Sequence, residues 1–303
     1  MLPESSRSSI TEPSSTRRVS SSGMRDQPPT DSSPDGESTV IFLGTGTSVG
    51  VPTIGCNCEV CSSDDPRNNR TRCAILLQLP EGNLLIDTPP DLRTQLLRER
   101  IGLVHSVLFT HEHADHLFGL DDLRLFPFRL GHPVPLHCTP HVETRIRHSF
   151  DYAFATTETT HPGARPQLAF EPIDPDTAFE ALGVRVMPIP MRHGPHFDVL
   201  GFRIGNFAYC TDTNYIPETS LERLRGVEHF VIGALRKEPH PTHFNLDQAI
   251  EIARIVGARQ TWITHIGHLL DHGPICDELP DGIDLAYDGL RINVQIDAVV
   301  DSS

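Results

Sequence analysis

The chain contains no run approaching the roughly 20 apolar residues of a membrane-spanning helix, and Ser and Arg interrupt every short apolar stretch near its start. Neither a membrane span nor the apolar core of a signal peptide is therefore expected, and the expected location is the cytoplasm. Positive charge is scarce: 25 Lys and Arg against 40 Asp and Glu leave a formal net charge of -15. Such a surface repels polyanions, which argues against broad nucleic-acid binding but leaves room for a local basic pocket. A secreted disulfide framework is also missing. The seven Cys are odd in number, and three crowd into residues 56–61, a layout that suits a metal site in a reducing compartment.

Large apolar residues are nearly absent from positions 1–38, where Ser, Pro, Thr and charged residues dominate. A segment of this kind cannot bury enough surface to offset its ordering entropy, so 1–38 is expected to be a disordered tail. The remaining residues, 39–303, suffice for one large domain. Buried-strand patterns fall at 39–43, 74–79, 83–86, 106–109, 134–137, 184–189, 200–204, 207–210, 229–232, 260–263 and 291–296. Helical periodicity falls at 91–100, 115–130, 141–154, 220–224 and 246–256. Glu81-Gly82 and Gly205-Asn206 are hairpin turns between strand pairs. The Pro- and Thr-rich stretch 155–180 reads as a long loop or an irregular strand pair. Many strands with interspersed helices predict a layered α/β architecture.

Directly after the run Val107-Leu108-Phe109-Thr110 stands His111-Glu112-His113-Ala114-Asp115-His116. Imidazole and carboxylate are ligands for zinc and its first-row neighbours, and a strand opening into a loop aims alternate residues at one point. His111 and His113 then grip one metal, while Asp115 and His116 grip a second. The same alternation directs Glu112 away from both. Three more ligand-type residues follow strand patterns: His193, Asp212 and His265. With them the donor sets close as His111, His113 and His193 for one metal and Asp115, His116 and His265 for the other, bridged by Asp212. Two metals a few Å apart polarise an oxygen and generate hydroxide near neutral pH.

On these residues the chain resembles the metallo-β-lactamase superfamily over 39–296. The resemblance implies a four-layer αββα sandwich with two divalent metals at one edge of the sheets. It also implies that Asp87 is a buried carboxylate orienting a ligand His, although a cap before Pro89-Pro90 fits that residue equally well. True lactamases of the superfamily lack a bridging Asp at the position of Asp212. A bridging carboxylate favours phosphoester chemistry and suits Zn, Mn or Fe.

Cys56-Asn57-Cys58-Glu59-Val60-Cys61 reads as a second metal site, with a redox or merely buried thiol cluster as the alternative. Three thiolates and a fourth ligand make a closed tetrahedral zinc site, and His268, three residues after His265, is the expected fourth. The preceding Gly44, Gly46 and Gly50 do not match a dinucleotide fingerprint. With the Thr264-His265-Ile266-Gly267-His268 ending, the Cys loop is similar to the branch that contains phosphoribosyl 1,2-cyclic phosphate phosphodiesterase of phosphonate catabolism. That likeness implies a small cyclic or linear sugar or nucleotide phosphodiester as substrate, and a homodimer.

For proton donation or phosphate contact the resemblance points to a His before a late helix. His243 fits, with His240 and His196 as competitors. Together with Asp212 it forms the expected catalytic pair. Arg70 and Arg72, in a basic stretch of an acidic chain, are candidates for phosphate recognition, for plain surface charge, or for clamping Asp64-Asp65. Competing functions are a tRNA 3′-processing endonuclease, a thioester or lactone hydrolase of the same superfamily, and a non-catalytic metal-binding protein.

Overall fold

A computed structural model describes residues 38–155, 161 and 163–296. The expected tail therefore lies outside the described residues except at its last position. Ser38 does not belong to it: this residue is buried and opens the first strand.

In chain order, the first sheet takes strands β1 (Ser38–Gly44), β2 (Ala74–Leu79), β3 (Gly82–Ile86), β4 (Ser106–Leu108), β5 (Val134–Cys138) and β6 (Leu168–Pro172). The second takes β7 (Phe179–Ala181), β8 (Val184–His193), β9 (Phe197–Ile204), β10 (Phe207–Cys210), β11 (His229–Gly233), β12 (Gln260–Thr264) and β13 (Ile283–Leu285). Strand β14 (Arg291–Val294) returns to pair with β1, so the sheets run β14-β1-β2-β3-β4-β5-β6 and β13-β12-β11-β10-β9-β8-β7. Strands β3 to β6 are parallel to one another, and so are β10 to β13. Their carboxyl ends gather the connecting loops.

Side-chain alternation explains the near-continuous apolar runs. Val40 and Phe42 of β1 face the second sheet, packing with Phe202, Tyr209 and Val231, while Ile41 and Leu43 face outward under helices. Each sheet is thus buried on both faces, as a sheet between helix layers requires. The outer layer of the first sheet contains α1 (Leu92–Glu99), α2 (Ala114–Leu117), α3 (Pro127–Leu130), α4 (Pro140–Ser149) and α5 (Asp151–Phe154). The outer layer of the second contains α6 (Glu218–Leu224), α7 (Leu246–Val256) and α8 (His272–Glu278). The αββα sandwich that the resemblance implies is present.

Helix α7 has the expected bounds because both ends are written in sequence: Asn245 and Gln248 form a capping box, and Gly257 closes the far end at φ 70°. The expected helix 115–130 breaks into α2, a 3₁₀ turn over Leu120–Leu125, and α3. The first break falls at Gly119, where a Cβ would sit 2.1 Å from the Pro89 carbonyl oxygen, so this close approach requires glycine. The stretch 155–180 contains strands that do not pair with each other: β6 edges one sheet and β7 the other. Among the described residues, no helix is long and apolar enough to cross a membrane.

Candidate metal centre

All seven expected donors meet at one edge of the sandwich. His111 follows β4 at its carboxyl end, and His113 caps α2, which carries Asp115 and His116. His193 is the last residue of β8, which runs four residues beyond its expected end at 189. Asp212 follows β10 and His265 follows β12. The donor atoms form two groups, each within 4.8 Å: His111, His113, His193 and Asp212, and Asp115, His116, Asp212 and His265. Asp212 belongs to both. Its Oδ1 lies 3.5 Å from His116 Nε2, and its Oδ2 lies 3.2 Å from His265 Nε2 and 3.9 Å from His111 Nε2.

The outer nitrogens of His116, His111 and His193 are fixed by the protein. Asp87, fully buried, sits 2.7 Å from His116 Nδ1 through Oδ2 and accepts the Thr110 amide and hydroxyl at 2.9 and 2.8 Å. The Thr110 hydroxyl is also 2.9 Å from His111 Nδ1, and the Thr242 carbonyl accepts from His193 Nδ1 at 2.7 Å. Asp87 thus orients a ligand-type His, not a turn. Contacts of this kind set the tautomer and leave Nε2 facing inward.

Buried Nε2 atoms of His111, His116 and His265 have no hydrogen-bond partner among the described residues. Leaving such a group unpaired costs about 1–3 kcal/mol, so three together call for a partner. A divalent cation satisfies them. Charge points the same way. Burial opposes a proton on His116, but Asp212, Asp87 and Asp115 outweigh it and raise its pKa well above the ordinary range. The carboxylate excess thus seeks a cation. Burial also opposes charge on Asp212, yet His265, His116 and His111 hold it well below the usual carboxylate range.

Three residues here have left-handed backbone, Asp87 at φ 67°, Asp212 at 48° and His265 at 56°. Non-glycine residues rarely adopt it, and such positions concentrate at functional sites.

His243 stands over both groups, its ring centroid 4.6 Å from that of His193 and 4.7 Å from that of His265. Burial, reinforced by His265, lowers its pKa to about 3, so the imidazole is neutral at pH 7. His240 lies behind it at 5.2 Å, whereas His196 is exposed. Glu112 points away from both groups and contacts His141 Nε2 at 3.1 Å.

The second cluster lies on the same loop as His265. His268 Nδ1 is 3.2, 3.4 and 3.6 Å from the Sγ atoms of Cys56, Cys58 and Cys61. The Cys61 amide donates to Cys58 Sγ and, with His268 nearby, lowers the Cys58 pKa to about 6. A low-pKa thiol surrounded by donors is a metal ligand in waiting. The two clusters are joined by backbone, since Thr47 donates to the Ile266 carbonyl and Ile266 to that of Thr45.

Arg70 and Arg72 are both engaged by the protein itself. Arg70 is 2% exposed, and its guanidinium is held by Thr45 Oγ1, the Ala286 carbonyl and His272 Nδ1. Arg72 pairs with Asp91 at 3.1 Å and donates to the Ser48 carbonyl. Both tie the N-terminal loop to the sheets. Sequence reasoning missed Thr110 and Thr242. The first is one Thr at a strand end, and the second acts through its carbonyl, which leaves no side-chain signal.

The β-lactamase superfamily domain model matches residues 82–266. The crystal structure of a diphosphatase from the PhnP family is 41% identical, with a TM-score of 0.80, over 86% of this chain and 98% of that one. The chain belongs to the metallo-β-lactamase superfamily. Within it this is a hydrolase of the PhnP branch. Zinc-bound PqqB from Methylobacterium extorquens, at 21% identity and TM-score 0.69 over 84% of this chain and all of that one, shares the fold. An octanoyltransferase of Porphyromonas gingivalis is 36% identical over 257 residues, which are 83% of this chain and 50% of that protein. The chain spans half of that relative's length, so the relative's name describes a larger protein. The superfamily fold and the strand-end His and Asp clusters make this a divalent-metal hydrolase.

Proposed function

We propose that the chain hydrolyses a small phosphodiester at a dinuclear metal centre. One observation carries this: Asp212 belongs to both four-residue donor groups, which suits a carboxylate shared by two cations. His111, His113 and His193 hold one, and Asp115, His116 and His265 the other. When bound, the cations polarise a phosphoryl oxygen and lower the pKa of water to near neutrality. Asp87 and Thr110 keep His116 and His111 aimed inward, and the Thr242 carbonyl does the same for His193. His243 presents a neutral N–H over the pair that hydrogen-bonds a phosphoryl or leaving oxygen as the P–O bond breaks, and the leaving oxygen takes its proton from solvent. Cys56, Cys58, Cys61 and His268 hold a structural zinc that fixes the loop bearing His265.

The test is a metal-resolved assay of the purified protein. Cyclic and linear phosphodiesters, including bis(p-nitrophenyl) phosphate, are compared with a precursor tRNA, a thioester and a lactone. Phosphodiester turnover rising until two strand-end metals are bound per chain supports the proposal. Turnover confined to precursor tRNA, thioester or lactone would replace it.

A further inference from the structure

Three parallel strands lead into the same two-residue step, a buried Thr followed by a donor: Thr110-His111 beyond β4, Thr211-Asp212 beyond β10 and Thr264-His265 at the end of β12. The three hydroxyls are used differently. Thr110 Oγ1 lies 2.9 Å from His111 Nδ1, and Thr211 Oγ1 donates to Asp212 Oδ1 at 2.7 Å. Thr264 Oγ1 instead meets Cys73 Sγ at 3.4 Å, and His265 Nδ1 has no hydrogen-bond partner among the described residues.

The Thr211 bond falls on the one residue that both donor groups share. Left-handed backbone sets the direction of the Asp212 Cβ, but the last torsion of an Asp side chain is soft and roughly two-fold. Backbone alone therefore does not decide which carboxylate oxygen faces which group. Thr211 supplies that constraint. It is β-branched, hence stiff about its first torsion. Apart from the ligand-type imidazoles, it is the only group hydrogen-bonded to the Asp212 side chain among the described residues. Its bond holds Oδ1, which lies beside His116 Nε2, and leaves Oδ2 beside His265 and His111. A carboxylate oxygen carries two lone pairs, so Oδ1 accepts from Thr211 with one still free to face a cation. Residues 209–213 are all buried, so on the strand side bulk water has no ready route to replace a lost bond.

We propose that Thr211 is a positioning residue of the metal centre, whose hydroxyl fixes the rotation of the Asp212 carboxylate so that it spans both donor groups. The assignment rests on the dinuclear reading of the centre. It makes cation affinity, and not strand packing, the property that this hydroxyl controls.

Thr211→Val removes the hydroxyl and keeps the branched shape. Protein freed of strand-end metal by a chelator is titrated with Mn²⁺, which prefers oxygen and nitrogen donors to the thiols of the Cys cluster. Unbound Mn²⁺ is read from its electron paramagnetic resonance signal. The wild type is expected to take up two Mn²⁺ per chain. Thr211→Val is expected to loosen the weaker of the two about ten- to hundredfold, with the melting temperature of the metal-free protein nearly unchanged. Thr211→Ser returns the donor without the stiff torsion and is expected to regain most of the affinity. Thr264→Val makes the same change on a neighbouring strand, where the hydroxyl bonds no ligand-type side chain, and is expected to leave both affinities unchanged. Affinities unchanged in Thr211→Val, or an equal loss in Thr264→Val, overturn the proposal. A loss that Thr211→Ser does not restore, accompanied by a lower melting temperature, marks a packing role and overturns it as well. If the wild type binds a single Mn²⁺, the dinuclear reading fails, and Thr211 keeps its assignment only if Thr211→Val weakens that one site. A wild type that binds no Mn²⁺ overturns both.

Discussion

The strand-end centre collects its donors from four separated segments on both sheets, whereas three of the four donors of the Cys cluster lie within six consecutive residues. Burial differs too: His111, His116, His193, Asp212 and His265 are buried, while the Cys cluster is half-buried throughout. The first centre is made by topology, and the folded sheets position its ligands before any cation arrives. The second is made by local spacing, and only His268 comes to it from a distant segment. Removing a donor should therefore damage chemistry at the first and stability at the second.

The largest expected effect is at Asp212. Asn tolerates its left-handed backbone, so Asp212→Asn removes shared charge with little added strain. Phosphodiester turnover should fall on the order of a thousandfold, with metal content at the strand-end centre reduced and the melting temperature nearly unchanged. Wild-type turnover would end the bridging role.

Cys58→Ser should act in the opposite sense. One zinc equivalent is lost and the melting temperature falls by roughly 5–10 °C, while strand-end metal content persists. An unchanged zinc stoichiometry, measured by elemental analysis, would remove the structural site from the account.

Arg70→Met sharpens the contrast further. Arg70 binds the N-terminal loop to His272 and the Ala286 carbonyl, so the change should cost about 2–4 kcal/mol in denaturant unfolding. The KM should stay within about twofold of wild type. A raised KM at unchanged stability would return Arg70 to substrate recognition.

The smallest effect concerns pH. Burial, reinforced by Arg70, lowers the His272 pKa to about 4, against about 6.5 for an exposed imidazole. The unfolded chain therefore takes up the proton first. Above about pH 6.5 the group contributes no pH dependence, and stability falls as pH drops from there towards 4. His272→Gln keeps an acceptor for Arg70 and should flatten part of that decline. Identical acid-unfolding curves for variant and wild type would dismiss the contribution.

Legibility in the sequence followed the same division. The Cys spacing and the hexad 111–116 are local, and local patterns survive translation into structure. His193, Asp212 and His265 were readable because each follows a strand pattern, and parallel strands deliver their carboxyl ends to one edge. Arg70 misled because charge in a sequence carries no sign of burial. Helix α8 went unread because Gly273 and Pro274 sit in its first turn and mask its periodicity.

The left-handed backbone at Asp87, Asp212 and His265 carries a consequence for how this chain can drift. At such positions glycine relaxes the main chain, so the backbone conformation of each residue costs stability while its side chain serves the centre. A duplicate copy released from its chemistry would gain by exchanging them. Glycine or asparagine at 87, 212 and 265, beneath an intact sandwich, would be the first genetic trace of a descendant that had stopped being an enzyme.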